Sequence, residues 1–431
     1  MNVHLRRNTL WNLAGSGLPL IAAACLIPFT LHRLGNEAFG VLTLIWALIG
    51  YFSLFDMGVG RALTYELSKL RAVNNVSEIS LTLKAGLLLT FAAGVLGAAV
   101  MLILGPCLAT SWLKISPALQ QDAMLSFKIA AIGVIPTTIT SGLRGALEGL
   151  GRFAASNLNK IILGFCMFVL PALSIMLHGN RLWAVTLYLV LARLIVALAA
   201  VTQLRHYLVA STAGLIRNYL KPLVNYGVWV TVTGIVGPLM IYGDRFFVSA
   251  AVGAAQLPLY AIPQEGLHRL LIIPVALCGA WLPQLAVLSS DNAAASYRCN
   301  YKRVAVVMFG ICSLASLLAY PALTWWLSAE FAQQALPIVL VLSVGIWLNS
   351  MALVPYTLMH ANGNPRITAL FHLLELGLYA LALWWLTTRF GLIGAALAWV
   401  GRALLDLILL HLAANRLLHA LQRKINDYAA L

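Results

Sequence analysis

The chain has 431 residues, of which 61% are hydrophobic and only 10% charged, with a formal net charge of +15. Roughly a quarter of a soluble domain is charged, so this composition excludes a water-facing protein and makes lipid the solvent of most of the chain. The basic surplus is not a nucleic-acid footprint, because it lies in short segments between long apolar runs, where it faces anionic lipid.

About 20 apolar residues in a helix cross the hydrocarbon core. Windows of that length predict an all-α polytopic membrane protein with twelve spans, no soluble domain and no long linker. The first six are Thr9–His32, Glu37–Tyr65, Leu81–Ala109, Ala123–Leu147, Phe153–Leu177 and Leu182–Leu204. The second six are Tyr219–Ser249, Leu257–Leu288, Val304–Leu327, Ala335–His360, Ile367–Thr388 and Leu392–Ala414. Prolines fall inside many of them, among them Pro19, Pro28, Pro136, Pro171, Pro238, Pro263 and Pro274; packed membrane helices tolerate these and kink there. Arg6-Arg7 before an apolar run is also how a signal peptide starts. The first span is too long for one and lacks a small-residue cleavage site, so it reads as a retained helix.

With the N-terminus inside, sixteen basic residues fall on the inner segments, from Arg6 and Arg7 to Arg423 and Lys424. Only Arg33, Lys114, Arg181 and Arg389 fall on the outer ones. That asymmetry orients the chain with both termini in the cytoplasm. Faint repetition divides it into two six-helix lobes, 1–212 and 213–431. Gly149-Leu150-Gly151-Arg152 is echoed by Asn362-Gly363-Asn364-Pro365-Arg366, and Arg193 by Arg402, each midway along the last span of its half. Parallel repeats of this kind place a substrate between lobes near the midplane.

Catalytic signatures are missing. There is no phosphate-binding Gly-x-x-x-x-Gly-Lys-Ser/Thr segment, and the nine histidines and six cysteines show no metal-ligand spacing. No serine–histidine–acid set or carboxylate pair shares an outer loop. The expectation is a non-enzyme with no catalytic residue, cofactor or metal.

Charges inside the spans carry the remaining information, since an ionised group at mid-bilayer costs about 3 kcal/mol and faces a cavity or a partner. Lys84 and Lys128 lie near span ends and snorkel, while Lys160 is deeper. Glu265 and Arg269 share one helical face at i, i+4, with His268 beside them and Pro263 and Pro274 on either side. Arg402 and Asp406 have the same spacing, whereas Arg193 has no such carboxylate and would need a partner from another helix. Asp244-Arg245 sits toward the outer end of span seven, and Asp56 with Arg61 in span two. Two readings stand: structural pairing, or an anion site in which Arg61, Arg245 and Arg269 hold phosphate oxygens bidentately. Glu375 has no basic residue at i±3 or i±4. It is a protonated packing residue, a partner for another helix, or an ion-coupling site.

Leu34-Gly35-x-Glu37-x-Phe39-Gly40 and Leu54-Phe55-Asp56-Met57-Gly58-Val59-Gly60-Arg61-Ala62-Leu63 resemble the opening of the Wzx-type oligosaccharide flippases. These belong to the multidrug/oligosaccharidyl-lipid/polysaccharide exporter superfamily. Leu143-Arg144-Gly145-x-Leu147-Glu148-Gly149-x-Gly151-Arg152-Phe153 and Tyr242-x-Asp244-Arg245-Phe246 extend the resemblance along nearly the whole chain. It implies two six-helix lobes around a cationic central cavity, alternating between inward- and outward-facing states in the bacterial inner membrane. The implied cargo is an undecaprenyl-diphosphate-linked oligosaccharide of the O-antigen or capsule type, moved from the cytoplasmic to the periplasmic leaflet. Implied partners are membrane lipids and the glycan polymerase and other assembly proteins of surface polysaccharide. The substrate-binding residues so implied are Arg61, Arg245 and Arg269, attended by Asp56, Asp244, Glu265 and His268. The first span, Thr9–His32, departs from the pattern: it contains no arginine and has only Arg33 beyond its outer end. A cation-coupled multidrug exporter of the same fold is the first rival, disfavoured because Thr9–His32 contains no acidic residue. A membrane glycan polymerase or ligase is the second, disfavoured because the longest outer loop is Thr110–Asp122.

The orientation is directly testable. In a background cleared of the native cysteines, Ser116→Cys is expected to react with a membrane-impermeant thiol reagent from the periplasm. Ser290→Cys should react only after permeabilisation. The reverse pattern would invert the topology.

Overall fold

The computed structural model describes residues 3–52, 56, 58–73, 75–209, 215–224, 239–285, 290–361 and 365–429. Leu54, Phe55, Met57, Pro238, residues 225–237 of span seven, the expected 212/213 lobe boundary and Asn362-Gly363-Asn364 lie outside them. The described residues are helical apart from short turns and connections, without a strand. They pack as two compact units, Met1–Ala255 and Gln256–Leu431.

The first unit contains α1 (Val3–Leu34), α2 (Asn36–Phe52), α3 (Val59–Ala72), α4 (Val76–Cys107), α5 (Pro117–Gly149), α6 (Phe153–His178), α7 (Leu182–Val209) and α8 (Asp244–Val252). The second contains α9 (Leu257–His268), α10 (Ile272–Leu285), α11 (Ser290–Trp326), α12 (Ala329–Ala361) and α13 (Pro365–Ala429). Seven described helices are long and apolar enough to cross a membrane, and Leu18–Leu34 and Asn36–Gly50 are shorter apolar helices. Two of the expected spans are merged in α13, which bends at Gly391 with φ 59° and ψ −136°. Span two is broken at Asp56 into α2 and α3. Span eight is broken by a 3-10 turn at Arg269–Leu271, between the two prolines that predicted a kink there.

Helix starts have four N–H groups without an intrahelical partner, and acidic side chains fill several of these positions. Glu37 accepts the backbone N–H of Ser116 at 2.5 Å and its hydroxyl at 2.7 Å, tying the beginning of α5 to α2. Asp122, one turn into α5, accepts the N–H groups of Leu182 and Trp183 at 2.8 and 3.0 Å and so caps α7. Each carboxylate also sits at the positive end of a helix dipole.

Helix α5 is the axis of the first unit, and its glycines let neighbouring backbones approach closely, as small residues do in membrane helices. A Cβ on Gly145 would strike the carbonyl of Gly60 in α3. One on Gly149 would lie 2.8 Å from the Thr64 carbonyl, and one on Gly142 2.8 Å from the Thr90 side chain of α4. The Thr64 hydroxyl lies 3.0 Å from the carbonyls of both Gly60 and Gly145, so it donates across the seam or back along its own helix. Around this seam Leu63, Leu67, Leu83, Leu143, Leu147 and Leu204 form a fully buried cluster. In the second unit Gly345 of α12 faces the indole of Trp399 in the same way.

Gly145→Val is therefore expected to push α3 off α5 and to destabilise the protein by about 1–3 kcal/mol, the usual cost of overpacking. Gly310→Ala, where a Cβ meets nothing within 4 Å, is expected to leave stability unchanged or slightly raised. Thermal unfolding of the detergent-solubilised variants checks both.

Candidate functional site

The break between α2 and α3 creates the first polar feature of the membrane interior. Gly58 adopts a left-handed conformation with φ 67°, and Asp56 is buried just before it. Asp56 Oδ1 accepts the Gly58 N–H at 2.9 Å; Oδ2 accepts the Gly60 N–H at 3.0 Å and the Ser141 hydroxyl of α5 at 2.7 Å. This carboxylate thus starts α3 and fastens it to α5. The pairing of Asp56 with Arg61 expected at the substrate becomes, for Asp56, a structural task.

Beside it lies a cavity of about 550 Å³ inside the first unit, within the range of about 300–1,000 Å³ usual for ligand pockets. Its charged lining comes from four helices: Arg61 on α3, Arg144 and Glu148 on α5, Lys160 on α6 and Arg193 on α7, with Asp56 at the break. Thr137, Thr140, Ser141, Ser156 and Asn159 add hydroxyl and amide groups. Both carboxylates are already engaged. Besides the bonds of Asp56, Glu148 Oε1 accepts from Arg144 Nε at 2.9 Å and from the Ser156 hydroxyl at 3.0 Å. Asn159 and Gln203 exchange amide hydrogen bonds at 3.0 and 3.2 Å. Four basic groups stand against two acids, which leaves the lining with two surplus positive charges.

Arg193 is the unusual member. It is only 5% exposed, and its Nε has no hydrogen-bond partner among the described residues. The pairing across helices that its sequence position allowed is not supplied by a carboxylate of this lining. A guanidinium held this way offers forked donors to an oxyanion and is costly to leave unmatched.

The other sequence-derived site residues lie elsewhere. Asp244 and Arg245 are buried at the start of α8, with the guanidinium 5.2 Å from the Tyr242 ring centroid; neither lines the cavity. In the second unit Arg269 Nη2 binds Glu265 Oε1 at 2.6 Å, as the i, i+4 spacing predicted. His268 Nδ1 lies 2.8 Å from the Gln264 carbonyl, and its ring meets Trp399 edge-on at 5.1 Å. Glu375 is fully buried, and Arg402 Nη1 lies 3.9 Å from its Oε2. That guanidinium stands beyond the bend at Gly391, on the second arm of the same helix α13. Lys128 is exposed and outside the cavity.

Sequence reasoning did not select Arg144, Glu148, Ser141 or Asn159 as site residues, although Arg144 and Glu148 stand in the motif quoted above. It left Lys160 and Arg193 unassigned. A usable signal was present: two basic residues deep in consecutive spans, neither with an acid one turn away.

Residues 5–289 match the family model described as "Polysaccharide biosynthesis protein". The chain is 32% identical over 416 residues to a putative O-antigen transporter of Shigella flexneri, covering 95% of this chain and 98% of the relative. Among solved structures it resembles an inward-facing multidrug resistance MATE family transporter of the MOP superfamily, with a TM-score of 0.77, 15% identity and 96% of each chain covered. It also resembles a MOP superfamily transporter from Pyrococcus furiosus whose binding pocket is described as having reverse polarity. That match has a TM-score of 0.65 and 13% identity, and covers 96% and 95% of the two chains. At these identities the two structures speak for the fold.

Proposed function

We propose that this chain, which belongs to the polysaccharide biosynthesis protein family and is a multi-pass membrane transporter rather than an enzyme, is a flippase for an undecaprenyl-diphosphate-linked oligosaccharide. The cargo moves from the cytoplasmic to the periplasmic leaflet of the bacterial inner membrane as the protein alternates between inward- and outward-facing states. Both termini stay in the cytoplasm.

The observation that carries this reading is the cavity's surplus of positive charge, with Arg193 buried at its wall and its Nε without a hydrogen-bond partner among the described residues. A diphosphate supplies the missing negative charge, and guanidinium groups grip its oxygens in pairs at low dielectric. Hydroxyls and amides beside them suit sugar hydroxyls. The polyprenyl tail needs no site, because it is soluble in the bilayer throughout. Arg61 and Arg193 are the primary phosphate ligands, with Lys160 as a further point charge. Arg245 and Arg269 serve as further contacts, and incoming phosphate competes with Glu265 for Arg269. The relative of 32% identity is described as an O-antigen transporter, which supports the same class of cargo. A drug exporter for organic cations fits poorly, since a surplus of positive charge repels its substrate.

Complementation of a strain lacking its own flippase tests the assignment, with surface glycan and membrane protein level both measured. Arg61→Gln and Arg193→Gln are each expected to reduce export ten-fold or more at normal protein level, since a charge-assisted hydrogen bond contributes about 1.5–3 kcal/mol. Lysine at either position should restore only part of it. Wild-type export by both glutamine variants would overturn the cavity as the phosphate site. Normal export by Glu265→Gln/Arg269→Gln would remove Arg269 from the ligand set.

A further inference from the structure

The second unit holds a separate charged cluster that the cargo reading does not use. Helix α13 folds back on itself at Gly391, and its two arms face each other. The first arm contributes His372 and Glu375, the second Arg402 and Asp406. His372, Glu375 and Asp406 each place one ligand atom within 4.8 Å of the others. Arg402 Nη1 lies 3.9 Å from Glu375 Oε2, and His372 Nε2 lies 3.9 Å from Asp406 Oδ1. Both separations exceed hydrogen-bond length. Arg402 also acts electrostatically on Asp406, as the i, i+4 spacing predicted, so it is shared between the two acids. The remaining titratable groups facing the cluster come from α12: Tyr356, stacked 4.1 Å from His360 and 6.3 Å from His372, and His360 itself. Trp399 lies under Arg402 at 5.7 Å.

Three observations point to a ligand. The cluster lies within the apolar stretch Ile367–Ala420. Glu375 is 0% exposed and Asp406 5%. Neither oxygen of Glu375, nor Oδ1 of Asp406, has a hydrogen-bond partner among the described residues. With imidazole neutral, two carboxylates face one guanidinium, and the cluster is short of one positive charge in a medium that penalises any imbalance.

We propose that the Glu375–Asp406 pair is a proton-binding site that takes up one proton per visit and acts as a clasp between the two arms of α13. The proton comes from bulk water, forms an O–H bond on one carboxyl oxygen, and is donated as a hydrogen bond to an oxygen of the other. No bond breaks in the protein, and the cluster goes from a net charge of −1 to 0. Arg402, until then shared by two anions, is left with one. A metal cation fits worse. Hard cations require about six oxygen ligands, whereas two carboxylates supply at most four, and the guanidinium repels a second cation. The clasp spans the bend at Gly391, so its protonation changes what holds the two arms together. This inference stands apart from the cargo assignment and can fail or hold without it.

Infrared difference spectroscopy of the purified full-length protein in lipid nanodiscs, taken between alkaline and acidic buffer, reads carboxyl protonation without any cargo. With the acidic buffer held at about pH 6, above the range near 4 where exposed carboxyls take up protons, the wild type is expected to gain a protonated-carboxyl band that shifts in heavy water. That band should be lost in both Glu375→Gln and Asp406→Asn, and kept in Glu330→Gln, which alters an exposed acid at the start of α12. Absence of the band in the wild type, or its persistence in both amide variants, overturns the proposal. Saturable binding of radioactive sodium to the wild type, lost in Glu375→Gln, overturns the proton in favour of an alkali cation. Because the wild-type spectrum alone can refute the proposal, poor folding of a variant does not protect it.

Discussion

A helix that begins inside or beside a bilayer exposes backbone N–H groups that no water can satisfy, and the break in span two meets that demand with a side chain. Breaking span two between α2 and α3 leaves Arg61 one turn into a new helix instead of along a continuous one. The break is tenable because one carboxylate, Asp56, receives two backbone N–H groups of the new helix and a hydroxyl from its neighbour. Glu37 and Asp122 do the same work at the starts of α5 and α7. With thirteen acidic residues in the chain, assigning several to helix starts leaves few to neutralise the basic groups inside the membrane. The positive lining of the cavity follows from that scarcity.

The two units consequently carry opposite imbalances. The first leaves guanidinium and ammonium groups in excess around a cavity of about 550 Å³, which suits a large anion that comes and goes. The second buries two acids with one guanidinium, which suits the smallest cation. A low dielectric magnifies both imbalances, so each has a physical reason to bind something rather than persist bare.

Much of this was legible in the sequence because it depends on local spacing. Apolar run lengths located the long apolar helices among the described residues, Pro263 and Pro274 marked the break in span eight, and the i, i+4 rule placed Arg269 against Glu265. Similarity to flippase motifs identified the family that the relatives bear out. What escaped were facts about which helix face meets which. The convergence of Arg61, Arg144, Lys160 and Arg193 depends on how α3, α5, α6 and α7 rotate about their axes, and apolar residues on every side of a membrane helix blur that signal. The meeting of Glu375 with Arg402 needed the bend at Gly391, which a hydropathy window reads only as a gap between spans. Asp56 looked like a substrate residue because a buried acid near an arginine usually invites that reading; its role as a cap depended on the left-handed turn at Gly58.

The glycine seam between α3 and α5 has a mechanical consequence. Two helices whose backbones touch through Gly60, Gly145 and Gly149 have no compliant side chains between them, and the Asp56–Ser141 bond pins one end of the contact. Sliding them past each other would drive carbonyl into carbonyl. The wall bearing Arg61 and Arg144 therefore travels as a single plate, and widening or narrowing of the cavity falls to the opposite wall. Lys160 on α6 stands on that wall, whereas α7, carrying Arg193, is itself packed on α5 where Val190 lies over Gly133.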